Sequence, residues 1–144
     1  MKLEWDFHEL YEFGNRITRT YEFETMLMDV AQKIARVLHQ NLLTTTPIDT
    51  GNLRKMWSAG ENLRFTVRKV GNSYEVTLIN TARNYSGFKY GLAVNDGHKT
   101  PGGGWVMGRF FVETSILKTE NDKKLERIIY NELEQWFRWC LNGK

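Results

Sequence analysis

Asp96 and His98, two residues apart, are the side chains in this sequence best suited to chemistry. A carboxylate beside an imidazole can form half of a hydrolytic site or half of a metal site. A second ligand pair is missing, because His8 and His39 fall in predicted helices without a companion and Cys140 is the only cysteine. We therefore expect no catalytic residue, no cofactor and no metal, with a hydrolase built on His98 and Asp96 as an alternative.

Three consecutive glycines, Gly102, Gly103 and Gly104, follow this pair. A phosphate-binding loop needs Lys-Ser or Lys-Thr after the glycines and a strand and a helix around them. Neither feature is present, which excludes a nucleotide-binding loop of this type. Residues 99–104 instead predict a mobile surface loop, held by Trp105 and Val106, with a helix beginning at Gly108-Arg109.

A second polar motif, Thr-Pro-Ile-Asp-Thr-Gly-Asn-Leu-Arg, occupies residues 46–54. Pro47 fixes one backbone dihedral, Asp49 can accept hydrogen bonds from nearby amides, and Gly51 permits a left-handed residue. The motif predicts a rigid corner between a long helix and a sheet. Arg54 and Lys55 can then contact a partner's carboxylates, whereas a corner that serves only its own fold is the alternative.

Composition limits the class of protein. The chain has 144 residues, 41% of them hydrophobic and 13% aromatic, which suits one domain over residues 1–144 with a real core. No run approaches the ~18 apolar residues of a membrane span, and the start lacks an apolar secretory segment. The lone cysteine gives no internal disulfide, and its place on an apolar helix face predicts a core residue.

Charge is distributed unevenly, although the formal net charge is only +3. Residues 1–30 hold seven acidic and three basic side chains, giving −4, and residues 31–110 hold four and eleven, giving +7. Residues 111–144 hold six of each. This pattern suits head-to-tail stacking of like subunits or a basic surface facing DNA, with a random distribution as the alternative.

Apolar residues spaced three and four apart predict two helices in the first third of the chain. Leu3, Phe7, Leu10 and Ile17 indicate a first helix, which Gly14-Asn15 weakens or ends. A second helix has Thr20 as its cap and ends within residues 44–47. Its apolar face consists of Phe23, Leu27, Val30, Ile34, Val37 or Leu38, and Leu42.

From residue 63 the apolar period changes to two, which indicates strands. A tight turn at Gly71-Asn72 predicts a hairpin near residues 63–80. The last third is helical again, and Thr119 and Asp122 have capping-box spacing, so one kinked helix and two consecutive helices both fit. The order predicts an α+β fold, with N-terminal helices and a long C-terminal helix, or two, packed on a small antiparallel sheet.

The two motifs together resemble the phage minor tail-component family, also called the neck or tail-completion family. This family is typified by gene product ten of a lambdoid phage and has members in prophages. Residues 47–54 fit its pattern of Pro, apolar, Asp, Thr, Gly, any residue, Leu, Arg. Residues 97–110 fit its Gly-His and Gly-Gly-Trp-Val-x-Gly-x-Phe arrangement, the more specific of the two. The resemblance extends over nearly the whole chain.

The resemblance implies a structural virion protein of the head–tail junction, without enzymatic activity. Similar proteins form rings, most often hexamers, between a head-closure or connector protein and the tail terminator, tail tube or sheath. Duplex DNA passes through such a ring non-specifically, and no membrane is involved. We expect the chain in the virion neck, and in the host cytoplasm before assembly.

Both motifs supply the residues expected at contacts with other subunits or partners. These are Asp49, Arg54, Lys55, His98, Lys99, Gly103, Trp105 and Arg109. Arg64, Arg68 and Lys69 are expected to line one side of the hairpin as a DNA-lumen or partner surface, with a solvated strand face as the alternative. A different class of function is a small nucleic-acid-binding protein that contacts phosphates through the basic middle.

Overall fold

The computed structural model describes residues 2–8, 20–48, 52–58 and 65–142. In chain order its elements are β1 (Lys2–Asp6), α1 (Thr20–Thr45), α2 (Asn52–Lys55), β2 (Trp57–Ser58), β3 (Thr66–Val70), β4 (Ser73–Thr77), β5 (Ile79–Asn80), α3 (Gly91–Asp96), β6 (Gly97–Lys99), β7 (Trp105–Met107), α4 (Phe111–Glu120) and α5 (Lys123–Asn142). The described strands form an antiparallel sheet of order β1-β4-β3 and the two-stranded ribbons β2-β5 and β6-β7. The predicted α+β fold is confirmed.

Helix α1 carries most of the core, as its predicted apolar face requires. Two apolar clusters lie along it. One contains Phe7, Phe23, Met26, Leu27, Val30, Ala31, Ile34, Tyr74 and Trp136. The other contains Ala35, Leu38, Leu42, Leu53, Trp57, Val76, Leu78, Ala82 and Phe111. The helix therefore holds the three-stranded sheet and α5 at one end and the corner and α4 at the other.

The hairpin of β3 and β4 forms where the sequence predicts it. Val70 pairs with Ser73, so the turn has two residues, and Gly71 supplies the positive φ of +61°. The side chains of Tyr74 and Val76 are buried against α1. Arg64 lies outside the described residues.

The first predicted helix is wrong for residues 2–6, which form strand β1 instead. This strand pairs antiparallel with β4 from Lys2 opposite Thr77 to Asp6 opposite Ser73. Pairing with β4 gives backbone hydrogen bonds to alternate residues of this short segment, whereas an isolated helix of this length is unstable. Positions 3, 5 and 7 also alternate with polar residues, which is the signal for a strand. Leu10, Gly14-Asn15 and Ile17 lie outside the described residues.

The C-terminal third consists of two helices that break at Asn121 and Asp122. Asp122 caps α5, because its Oδ1 accepts a hydrogen bond from the Lys124 amide at 2.9 Å. The predicted capping box is wrong, since the Thr119 hydroxyl donates to the Ser115 carbonyl at 2.8 Å instead. The same hydroxyl accepts a bond from Asn41 Nδ2 at 2.9 Å, which ties α4 to α1.

Helix α5 packs on α1 through an apolar stripe. Leu125, Ile129, Leu133 and Cys140 lie against the cluster that contains Trp136, which confirms Cys140 as a core-side residue. An ion pair between Lys33 and the buried Glu132 adds a polar link between the two helices. No helix within the described ranges is both long enough and apolar enough to cross a membrane.

Candidate functional site

The corner after α1 is organised around Thr46, which is fully buried. Its amide donates to the Leu42 carbonyl at 2.9 Å and its hydroxyl accepts a bond from Trp57 Nε1 at 2.8 Å. Arg54 Nη2 donates to the Thr46 carbonyl at 2.8 Å. One threonine therefore joins the end of α1 to α2 and β2, which explains why the motif forms a rigid corner.

Asp49, Arg54 and Lys55 are the residues of the corner that were predicted to contact another subunit. Arg54 is half-buried and turned toward the corner, an arrangement that supports the alternative in which this motif serves its own fold. Lys55 is exposed, and Asp49 lies outside the described residues. Contacts from these three residues to another subunit stay predictions.

The glycine-rich motif is a hairpin of β6 and β7 rather than the irregular mobile loop expected from the sequence. His98 pairs with Val106 and Lys99 with Trp105. The tip is closed by a hydrogen bond from the Gly103 amide to the Thr100 carbonyl at 3.0 Å, and Gly103 has a φ of +85°. The Thr100 amide also donates to the Gly104 carbonyl at 2.9 Å, which leaves residues 101–103 as the connection. A turn followed by a left-handed glycine is a common form of a three-residue hairpin connection. The strands were missed because each has only three residues.

Two glycines at the base of this hairpin set its direction. Gly97 has a φ of +88°, and a Cβ there would lie 2.6 Å from the Val106 carbonyl oxygen. A Cβ on Gly108 would overlap with the Asn95 carbonyl oxygen. The chain then runs to α4, which begins at Phe111 and not at Gly108-Arg109 as predicted. The Arg109 amide instead donates to the Val94 carbonyl at 2.9 Å.

Asp96 and His98 are each engaged with other groups. The His98 Nδ1 lies 3.4 Å from the Ala93 carbonyl oxygen, and Asp96 Oδ1 accepts a bond from Asn95 Nδ2 at 2.7 Å. Both side chains are exposed. No cluster of three or more His, Cys, Asp or Glu side chains in the described part of the chain has the geometry of a metal site.

One side of the hairpin combines a cation with apolar side chains. Lys99, Trp105 and Met107 share it, because cross-strand partners and alternate residues point the same way. Trp105 is 58% exposed and Met107 is 72% exposed. Across the described ranges, the Lys99 ammonium makes neither an ion pair nor a hydrogen bond. We call these three residues the hairpin face.

The buried Asn95 is a structural residue that the sequence analysis missed. Its Oδ1 accepts a bond from the Val112 amide in the first turn of α4 at 3.0 Å. Its Nδ2 donates to Glu113 Oε2 at 3.0 Å as well as to Asp96. Asparagine near a chain reversal often bonds to nearby backbone, and this preference is the only signal that the sequence offers for it.

The carboxylates of Asp96 and Glu113 lie at a cleft of about 430 Å³ beside α3. We call it the carboxylate cleft. Its lining residues are Trp57, Asn80, Lys89, Gly91, Leu92, Asn95, Asp96, Phe111, Val112 and Glu113. A neighbouring cleft of about 540 Å³ includes Tyr90 and Val94 of the same region together with Pro47 and Leu53 of the corner. Both clefts are open to solvent and have mixed apolar and polar walls.

The predicted basic surface of the β3–β4 hairpin is divided between the two faces of the sheet. Arg68 pairs with Glu75 at 3.1 Å, whereas Lys69 pairs with Glu24 of α1 at 2.7 Å. Neighbouring residues of a strand point to opposite faces, so these two cannot line one side. The expectation of a shared face is wrong, and both cations already have acidic partners within the chain.

The comparison with family models gives one finding. Residues 9–97 match the family described as "Bacteriophage HK97-gp10, putative tail-component". This range is more than half of the chain, and the chain belongs to this family of structural phage proteins. The comparisons with curated proteins and with solved structures give no match.

The matched range includes the corner motif and ends at Gly97. Strand β6 begins at this residue, so the rest of the β6–β7 hairpin lies beyond the match, as do α4 and α5. Family membership is therefore established through α1, the corner, strands β2 to β5 and α3. The expected resemblance over nearly the whole chain is supported for this narrower range.

Proposed function

We propose that this chain is a structural subunit of the phage head–tail junction, a neck or tail-completion protein that forms a ring around the DNA path. Membership of the tail-component family supports the structural role. The observation that carries the assembly role is the distribution of exposed apolar side chains. Half of the fourteen large ones in the described chain fall within residues 85–110: Tyr85, Phe88, Leu92, Trp105, Val106, Met107 and Phe110.

Exposed apolar groups concentrated in this way are typical of a surface that another protein covers. They lie on α3, on the hairpin and on the segments beside them. Nothing in their chemistry suits catalysis, and Asp96 and His98 nearby are bonded to other groups. This surface therefore supports a protein that acts through contacts with other virion proteins and not through bond-making chemistry.

The size of the chain is compatible with a ring. A domain of this length has a radius of gyration of about 15 Å and a width of roughly 40 Å. Six such bodies in contact leave a hole of roughly 40 Å, which is wide enough for duplex DNA. In this proposal a head-closure or connector protein binds one side of the hexamer, and the tail terminator, tube or sheath binds the other.

The proposed location is the virion neck, with the host cytoplasm as the place of synthesis. We propose that Lys55, His98, Lys99, Trp105 and Arg109 contribute contacts, because all five are exposed. A role for Arg68 or Lys69 as a basic lumen is less favoured, since both form ion pairs within the chain. The same pairs weaken the alternative of a nucleic-acid-binding protein.

Electron microscopy of assembled particles tests this proposal. A phage that carries a tagged copy of the chain is expected to show label at the junction of head and tail. A phage without the gene is expected to give filled heads and complete tails that do not join. Label only inside the head, or only at the tail tip, would overturn the proposal.

A further inference from the structure

We propose that the hairpin face of one copy docks into the carboxylate cleft of the next copy. The inference rests on the proposed ring and names the two surfaces that close it. It therefore assigns a second copy of this chain as the occupant of the cleft. The contact joins two different surfaces, and contacts of this kind generate rings when the rotation between neighbours closes.

The docking element is fixed in place before association. Its base is held by Gly97 and Gly108, where no side chain fits, and its tip by the bonds between Thr100 and residues 103–104. Association therefore costs little ordering of the backbone, which favours binding. The hairpin face presents an indole, a thioether and one ammonium group to solvent.

The cleft has the complementary chemistry. Leu92, Phe111 and Val112 give it apolar walls, and Leu92 is 72% exposed. Asp96 and Glu113 carry its negative charge, and Asn95 holds the two carboxylates beside each other. Lys89 is the one cation among the described residues of the lining, so their formal charge is −1. The hairpin face is apolar and carries one positive charge, so it is complementary to a cleft with apolar walls and a net negative charge.

The chain's own hairpin leaves this cleft open. None of the residues from 97 to 107 belongs to its lining, although Asp96, the residue before the hairpin, does. Trp105 instead covers Gly97, because its ring lies 3.1 Å from the position of a Cβ there. Because the hairpin does not line its own cleft, the equivalent cleft that it can enter belongs to another copy.

Paired charge reversals test this contact. Lys99→Glu places a carboxylate on the hairpin face, and Glu113→Lys places a cation in the cleft. Each variant alone is expected to lose the self-association that sedimentation measures for the wild-type protein. An equal mixture of the two is expected to regain it, because every contact in an alternating ring then joins opposite charges.

The controls use the same reversals elsewhere. Lys124→Glu and Glu120→Lys change exposed residues outside both surfaces, and they are expected to associate like the wild type. Thermal unfolding of all four variants shows whether each one folds, which matters for Glu113→Lys because it removes a partner of Asn95. If that variant unfolds, Asp96→Lys replaces it in the mixture; it removes the other carboxylate partner of Asn95, so its folding is checked in the same way.

Three outcomes overturn the inference: a wild-type protein that stays monomeric at its highest soluble concentration, single variants that associate normally, or a mixture that fails to recover. Recovery of the mixture supports it. Loss of duplex DNA binding in Lys99→Glu, without any change in self-association, would assign the hairpin face to DNA instead. Label at the head–tail junction combined with normal assembly of Lys99→Glu would reject this inference and retain the proposed function.

Discussion

Phe110 has the least favourable backbone conformation among the described non-glycine residues. Its φ of +47° lies in the left-handed region, where a bulky side chain is disfavoured. The conformation lets its amide donate to the Asn95 carbonyl at 2.9 Å just before α4 begins. The ring itself is half-exposed. Strain of this kind persists only where the surrounding structure imposes it.

Replacing Phe110 separates this strain from the loss of the ring. Phe110→Gly and Phe110→Ala remove the same aromatic group, but only alanine keeps the left-handed penalty. We expect Phe110→Gly to have a free energy of unfolding about 1 kcal/mol higher than that of Phe110→Ala, as measured by urea denaturation. At Phe88, which has a negative φ, the order is expected to reverse because glycine loses more entropy on folding. The same order at both positions would contradict the strain.

Gly108 is a second position at which one atom decides the outcome. A methyl group there overlaps with the Asn95 carbonyl, so Gly108→Ala forces α3 and the segment before α4 apart. We expect a loss of about 1–3 kcal/mol in the free energy of unfolding. Gly102→Ala is the matched control, because no atom lies within 4 Å of its Cβ position. Equal stability of the two variants would show that the close approach has no energetic weight.

At the scale of elements, the corner depends on a buried bond between Thr46 and Trp57. Thr46→Val keeps the shape but leaves the indole N–H without its acceptor. We expect a cost of about 1–3 kcal/mol, since an unsatisfied buried donor is expensive. Adding Trp57→Phe removes the donor too, and unfolding of all four proteins gives the coupling energy. A double variant whose cost is the sum of the two single costs would contradict this account.

Elements that depend on local sequence could be predicted, and those that depend on distant partners could not. Helix α1 and the β3–β4 hairpin follow from spacings within a few residues of one another. Strand β1 depends on β4, about 70 residues away, and its apolar residues also fit a helix. The carboxylate cleft was missed for a related reason. Its walls come from β2, α3 and α4, which no single motif contains.

Lys99 was correctly assigned to the surface, but the conformation of its segment was not. Lys99 and Trp105 were expected on a loose arm, whereas the structure pairs them across two strands. For Arg68 and Lys69, the sequence already contained the information on relative orientation, but it was not used. Alternation along β3 already excludes a common face, and their acidic partners are visible only in three dimensions. Residue type predicted the exposure of Lys99 but not that of Trp105, and tertiary structure decided the orientation of all four side chains.

At the scale of the whole molecule, the proposed contact between copies is partly electrostatic. We expect self-association to weaken as the salt concentration rises, because ions screen the attraction between exposed charges. Lys99→Met is the control, since it keeps an apolar side chain of similar length and removes the charge. Its association is expected to be weaker at low salt and less dependent on salt. Association of the wild-type protein that strengthens with salt would indicate a purely apolar contact.

The closed tip of the β6–β7 hairpin has a practical consequence for work with infectious particles. Gly102 and Gly103 have open space around them, so a short peptide spliced between them interrupts the turn from Thr100 to Gly103 but is not expected to unfold the rest of the subunit. The same graft lies near the hairpin face and is expected to obstruct the joining of neighbours. The insertion would thus give a folded subunit that carries an epitope and inhibits assembly in a dominant-negative manner when it is co-expressed with the native subunit.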